Sequence, residues 1–186
     1  MRRIIALTSF IVVAGAGAAY IGLSGRQTVP MSQLGAVSQV INTTQIAVHY
    51  SRPTARGRTL FGEDGVVPFG ETWSPGANDA TWLEINNDVQ IAGKLLAAGK
   101  YSVWAEPSAD EWTVIFSNAW EVFHIPYPGV EEDALRLQVP VGSGDYFETM
   151  TFHFPTLGPN TGALVLQWGN TKVSLPLEVP MELPAP

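Results

Sequence analysis

Residues 37–50 read VSQVINTTQIAVHY, and their period is two. Side chains at Val40, Thr44/Ile46, Val48 and Tyr50 return to one face with polar partners between them, the spacing of a half-buried strand rather than a helix. The pattern recurs down the chain. Strands are expected at 81–85, 89–91, 101–106, 112–117, 135–141, 149–154, 163–168 and 173–179, each short and rich in Val, Ile, Thr, Phe and Trp. Turn chemistry separates them: Asn86-Asn87-Asp88, Ala92-Gly93-Lys94, Ser108-Ala109-Asp110, Gly142-Ser143-Gly144-Asp145, Gly158-Pro159-Asn160 and Gly169-Asn170. The last pair reads as the clearest tight hairpin. About nine strands at this spacing predict an all-β chain built as an antiparallel β-sandwich.

Composition agrees. In 186 residues there are 18 glycines and 14 prolines, too many for a helical bundle, while 46% hydrophobic content supplies a core. Ten Lys/Arg stand against seventeen Asp/Glu, a net charge of −7 that argues against a nucleic-acid partner. Cysteine is absent, which excludes disulfides, a thiolate zinc site, a cysteine nucleophile and a lipidated Cys.

Ahead of the strands, Arg2 and Arg3 precede an uncharged stretch over residues 4–23. Twenty helical residues rise ~30 Å, the thickness of a bilayer core. The stretch fits either a transmembrane anchor or a signal peptide cleaved at Ala14-Gly15-Ala16 or Ala16-Gly17-Ala18. Both leave the arginine pair in the cytoplasm and the rest outside it. Without that pair, eight cations face seventeen acids, a net of −9. Gly15/Ala19 and Ala18/Gly22 are small pairs four apart, suited to close packing of another transmembrane helix. The expected organisation is an anchor (or signal) over 1–24, a linker over 25–36, the sandwich over 37–179 and a Pro-rich tail over 180–186.

Residues 51–80 break the rhythm with five glycines and three prolines, a long loop of the kind that often carries function. Residues 118–133, with Pro126, Pro128 and Gly129, form a second irregular excursion. Within the first loop, Tyr50-Ser51-Arg52-Pro53, Gly57-Arg58, Phe61-Gly62, Val67-Pro68-Phe69-Gly70, Trp73 and Gly76-Ala77-Asn78 follow one another. Gly93-Lys94, Gly99-Lys100-Tyr101-Ser102, Pro107 and Trp112-Thr113-Val114-Ile115 come later. In order and spacing these motifs resemble the exported bacterial family catalogued as domain of unknown function 2911, over about residues 37–180. The resemblance implies an exported β-rich domain and no particular activity. The chain departs from the family pattern at Ser74, where a basic residue follows the Trp, and after Asn118.

Arg52, Arg56 and Arg58 bring three guanidinium forks into seven residues, a pattern suited to an anionic ligand. The competing expectation is that they tie the loop to the domain's own carboxylates, such as Glu63, Asp64, Glu71 and Asp79. Among the six tryptophans, Trp104, Trp112 and Trp168 fall in alternating strands and are expected in the core, leaving Trp73, Trp82 and Trp120 as surface candidates for stacking on a sugar. His49, His124 and His153 show no metal-ligand spacing, no G-x-S-x-G elbow exists, and no cofactor is implied. The leading expectation is therefore a non-enzymatic accessory subunit, anchored in the bacterial inner membrane with its domain in the periplasm. Its partners would be other membrane subunits, met through the helix and the Pro-rich tail. The alternative is a secreted module binding a small anionic or carbohydrate ligand through the 51–80 loop, where Arg52, Arg58, Trp73 and Asn78 would converge.

Overall fold

The computed structural model of the chain describes residues 32–180. Its strands are β1 (Gln33–Ile41), β2 (Thr44–Arg52), β3 (Trp82–Ile85), β4 (Val89–Ile91), β5 (Lys94–Leu96), β6 (Gly99–Glu106), β7 (Glu111–Ser117), β8 (Asp133–His153) and β9 (Thr161–Glu178). All nine belong to one antiparallel sheet in the order β1-β2-β3-β6-β7-β8-β9-β4-β5. The expected anchor, its small residues Gly15, Ala18, Ala19 and Gly22, most of the linker and nearly all of the tail lie outside the described residues. Among the described residues, no helix is long and apolar enough to cross a membrane.

In β2 the period-two reading holds, with Thr44, Ile46, Val48 and Tyr50 all buried. Val40 does not share their face. Ile41 pairs with Thr44 across the two-residue turn at Asn42-Thr43, which puts Val40 opposite Gln45 and leaves it 58% exposed. Asn42 takes φ +52°, as that turn requires. A shift of one residue moves a side chain to the other face. β1 also begins at Gln33, so the last four residues of the expected linker are strand.

Two pairs of expected strands are single long ones. Gly142-Ser143-Gly144-Asp145 runs inside β8, where the pairing with β9 shifts register between Ser143 and Phe147. Gly169-Asn170 runs inside β9, with Gly169 opposite Phe147 at φ +59°. Gly144 lies within one register shift and Gly169 beside it, so these segments bend the strands instead of ending them. Of these glycines Gly169 is the left-handed one, a backbone that a bulge and a turn both use, and composition does not separate the two. The total of nine survives because 37–50 holds two strands and β5 was not expected at all.

The bends give β8 two partners. Residues 133–140 pair with β7 and residues 141–153 with β9, so β8 carries the sheet from one half to the other. The halves share a single core of Ile46, Leu83, Trp112, Leu137, Phe152, Leu164 and their neighbours, each large side chain stabilising by ~1.5–3 kcal/mol on burial. Tyr50 and Phe152 meet edge to face at 4.8 Å. The Phe152 N–H donates to the Tyr50 hydroxyl at 3.2 Å. Just past β2, Met150 N–H donates to Pro53 O (2.8 Å) and Ala55 N–H to Glu148 O (2.7 Å), which fastens the start of the 51–80 loop to β8.

On the opposite face, Ala80, Trp104 and Ile115 form a smaller apolar cluster covered by Val122 and Tyr127 of the second excursion. Tyr127 donates to Asp133, and Arg136 donates to Asp133 at 3.0 Å and to the Tyr127 oxygen at 3.2 Å. Burial and the hydrogen bond to Asp133 push the Tyr127 hydroxyl up to about 12, so it stays a donor. This lock holds the 118–133 excursion against the sheet beside the 51–80 loop.

Candidate functional site

The loop begins with a tight turn. Arg56 (φ +53°) and Gly57 (φ +68°) are both left-handed, and Arg58 N–H returns to Ala55 O at 3.1 Å. That is a type I′ geometry, whose first central position favours Asn, Asp or Gly over Arg. The turn sets the side chains of Arg56 and Arg58 beside one another. Arg58 donates from Nε to Ala55 O (3.0 Å) and from Nη2 to Thr54 O (2.8 Å). Its fork is held by carbonyls, which carry no formal charge. Arg56 Nε donates to Thr54 Oγ1 at 3.0 Å.

Further along, the loop replaces a missing stretch of sheet. Trp73 exchanges backbone hydrogen bonds with Ala105 of β6 at 2.8 and 2.7 Å. Ser74 is fully buried, donating to Val103 O (2.9 Å) and accepting from Thr81 N–H (3.0 Å). The position where the resemblance implies a basic residue thus holds a hydroxyl used in both directions as a structural pin. Asn78, at φ +66°, donates from Nδ2 to Ser51 Oγ at 3.0 Å and to Ser32 O at 3.3 Å.

Asp79 bridges Phe123, so the two irregular segments pair with each other. His124 is delivered by that pairing. Its backbone N–H donates to Asn78 O at 3.2 Å and its Nδ1 bonds the same carbonyl. A carbonyl only accepts, so Nδ1 carries the proton and Nε2 of the neutral ring is the acceptor.

The result is a cleft of about 540 Å³ lined by Arg56, Arg58, Trp73, Asn78, His124 and Trp168, among others. Its volume falls in the range of small-molecule sites. Beneath it, Trp168 lies 6.3 Å from Trp73 at 19° and 5.9 Å from Phe61. Trp168 is only 2% exposed, and its Nε1 has no hydrogen-bond partner among the described residues.

Glu148 of β8 is the acid that senses both arginines. Its pKa is held below the ordinary value chiefly by the Arg56 backbone N–H (2.8 Å), then by the Tyr146 hydroxyl (2.9 Å), with the Arg56 and Arg58 charges adding to this. It is one of the domain's own carboxylates, though not one of the four named as examples.

Of the four residues expected to converge, Arg58, Trp73 and Asn78 do, joined by Arg56. Arg52 does not. Its aliphatic stem lies over Gly35, where a Cβ would stand 2.7 Å from Arg52 Cδ, and it borders a smaller hollow with Gln33 and Thr149. The surface tryptophans also divide, with Trp73 at the cleft and Trp82 and Trp120 elsewhere. His49 stacks on Trp82 at 3.9 Å and 6°, while Lys100 Nζ lies 5.1 and 4.7 Å from the Trp82 and Trp120 rings. Those rings are occupied by protein neighbours. Among the described residues, no group of three or more His, Cys, Asp or Glu is placed to hold a metal ion.

His124 and Trp168 were missed as site residues. One sits in the excursion where the sequence diverges from the family pattern, and the other reads as plain core. The loop that builds most of the cleft carries the densest run of family motifs. The profile of the family described as "Protein of unknown function (DUF2911)" matches residues 32–177. The chain belongs to this family. No curated protein and no solved structure matches it. In this DUF2911 chain the motif residues Arg58, Trp73, Gly76, Ala77 and Asn78 all line one cavity.

Proposed function

We propose that this DUF2911 domain is an exported, non-enzymatic binding module that takes a small anionic ligand into the cleft over the 51–80 loop. The observation that carries the reading is convergence. Two arginines from one strained turn, Asn78 from the loop's far end and His124 from a separate excursion face a single cavity. Guanidinium groups beside apolar walls bind an anion more strongly than the same groups in open water, because the walls lower the local dielectric. In this reading the two halves of the sheet act as a sandwich that holds the loop rigid.

The test is a thermal-shift panel of phosphate, phenyl phosphate, benzoate and citrate on the wild type and Arg58→Ala. At 100 times Kd a ligand stabilises by ~2.7 kcal/mol, a shift of several degrees in a domain of this size. At least one anion is expected to raise the wild-type Tm and leave the variant unmoved. Because Arg58 is exposed and its side chain donates to carbonyls of its own turn, the ligand-free Tm should barely change. Unfolding of the variant, or a panel with no effect on the wild type, defeats the reading.

A second reading keeps the domain on a membrane anchor as an accessory subunit of a larger complex. The uncharged stretch over 4–23 and its small-residue faces favour it. Intact mass of the protein taken from native membranes decides it. A mature chain that starts near residue 19 removes the anchor and the assembly role with it.

A further inference from the structure

Two strands end the sheet, and they end it differently. β5 is three residues long and begins with Lys94, a short and charged edge of the kind that resists pairing with another chain. β1 runs for nine residues, Gln33–Ile41, with no charged residue, no proline and no bulge in its register with β2. Among the described residues, no strand lies on its other side. A long edge without the usual protections is a template for one more strand.

The direction of its free backbone groups follows from the neighbouring strands. Gln45 turns toward β3: its N–H donates to Asn86 Oδ1 at 2.7 Å, and its carbonyl accepts from Asn86 N–H at 3.3 Å. Thr44 therefore turns its N–H and C=O toward β1, where Ile41 stands opposite. Alternation then points the N–H and C=O of Leu34, Ala36, Ser38 and Val40 away from β2. Val40 O accepts from the side-chain Nε2 of Gln39 at 2.9 Å, a local bond that an incoming strand's N–H can replace.

The side chains of the same four residues are exposed. Leu34 is 80% exposed and Val40 58%, the large apolar side chains that β1 leaves to solvent. They stand three residues to either side of Val37, the middle of the strand. A second β1 turned about a two-fold axis at Val37 sets Leu34 against the partner's Val40 and Ala36 against the partner's Ser38. Those four positions are then the hydrogen-bonded ones, and each facing pair exchanges both of its backbone bonds. Apolar meets apolar and small meets small, the self-complementarity that a two-fold interface requires. The chain carries a net charge of −7, so two copies approach at least electrostatic cost along a strand that has no charge.

We propose that β1 is a self-association edge, on which two copies of the chain pair antiparallel about Val37 and join their sheets into one. The partner it fits is a second copy of this chain.

The chain has no cysteine, so single-cysteine variants of the full chain report the register directly. Val37 faces its own copy at a non-hydrogen-bonded pair, ~4.5 Å between Cα atoms, which a disulfide spans. Val37→Cys should oxidise to a covalent dimer. Leu34→Cys alone and Val40→Cys alone should not, because their like positions stand ~20 Å apart. A mixture of those two variants should cross-link through a short bismaleimide. Ser38→Lys, at an exposed position, places like charges across the axis and should lower the Val37→Cys dimer yield roughly tenfold or more.

Absence of a Val37→Cys dimer overturns the proposal. So does equal cross-linking of all three single variants, which marks random collision or association through another part of the chain. Capture of a different protein by Val37→Cys in native membranes, in place of the dimer, gives the edge to another chain and also overturns it. Should Val37→Cys lose its fold, the mixture of Leu34→Cys and Val40→Cys carries the same readout.

Discussion

Arg56 shows what a single residue contributes at a strained position. Its φ of +53° lies where an ordinary side chain costs roughly 1–2 kcal/mol and where asparagine is tolerated. Replacing it by Asn or by Ala removes the same guanidinium and keeps the backbone bond to Glu148. The two variants therefore differ mainly in tolerance of the left-handed backbone. Arg56→Asn is expected to be more stable than Arg56→Ala by about 0.5–1 kcal/mol in urea titrations, while both weaken anion binding. Equal stability would mean that the turn is not strained. His153 tests a different property. Burial, then the charge of Lys172, holds its pKa below the ordinary 6.5, so the folded state favours the neutral ring. On acidification the unfolded chain takes up the proton first. That contribution to stability is complete above pH 6.5 and is lost as pH falls through the lowered folded value. His153→Gln should lose less urea stability than wild type between pH 7 and pH 5, and a parallel loss would contradict the burial effect.

At the level of elements, β8 and β9 explain how the sheet bends. Gly169 combines φ +59° with a crowded site, since a Cβ there would stand 2.8 Å from Leu60 Cδ1. Gly169→Ala should cost roughly 1–2 kcal/mol from the backbone alone, read as a lower urea midpoint with unchanged slope. An unaffected midpoint would show that the bulge relaxes without strain. The same glycines show why strand boundaries were hard to read. Gly142-Ser143-Gly144-Asp145 and Gly169-Asn170 have the composition of hairpin turns, yet β8 and β9 continue through both because each finds hydrogen-bonding partners on either side. Val40 illustrates the converse error. Its alternation with β2 looked continuous, but the turn at Asn42-Thr43 resets the phase between the strands.

For the molecule as a whole, local sequence was enough to specify an all-β chain, the burial of Trp104, Trp112 and Trp168, and the 51–80 loop as the place where unusual residues gather, but not how the strands divide. Periodicity and turn propensity act between near neighbours, so they can be read directly along the chain. The cleft was legible only in part. Arg58, Trp73 and Asn78 lie in one loop and were named together, whereas Arg52 points to a different hollow because it ends β2 on the far side of Pro53 from the turn. His124 and Trp168 had no local signal. Bridging of Asp79 to Phe123 brings His124 in, and the bend of β8 that pairs it with β9 brings Trp168 beneath the loop. Strand preference and apolarity can be read along the chain, because they belong to each side chain and its neighbours. Tertiary structure alone decided which distant segments share a cavity and which buried donor is left without an acceptor, because both depend on contacts between residues as much as a hundred positions apart.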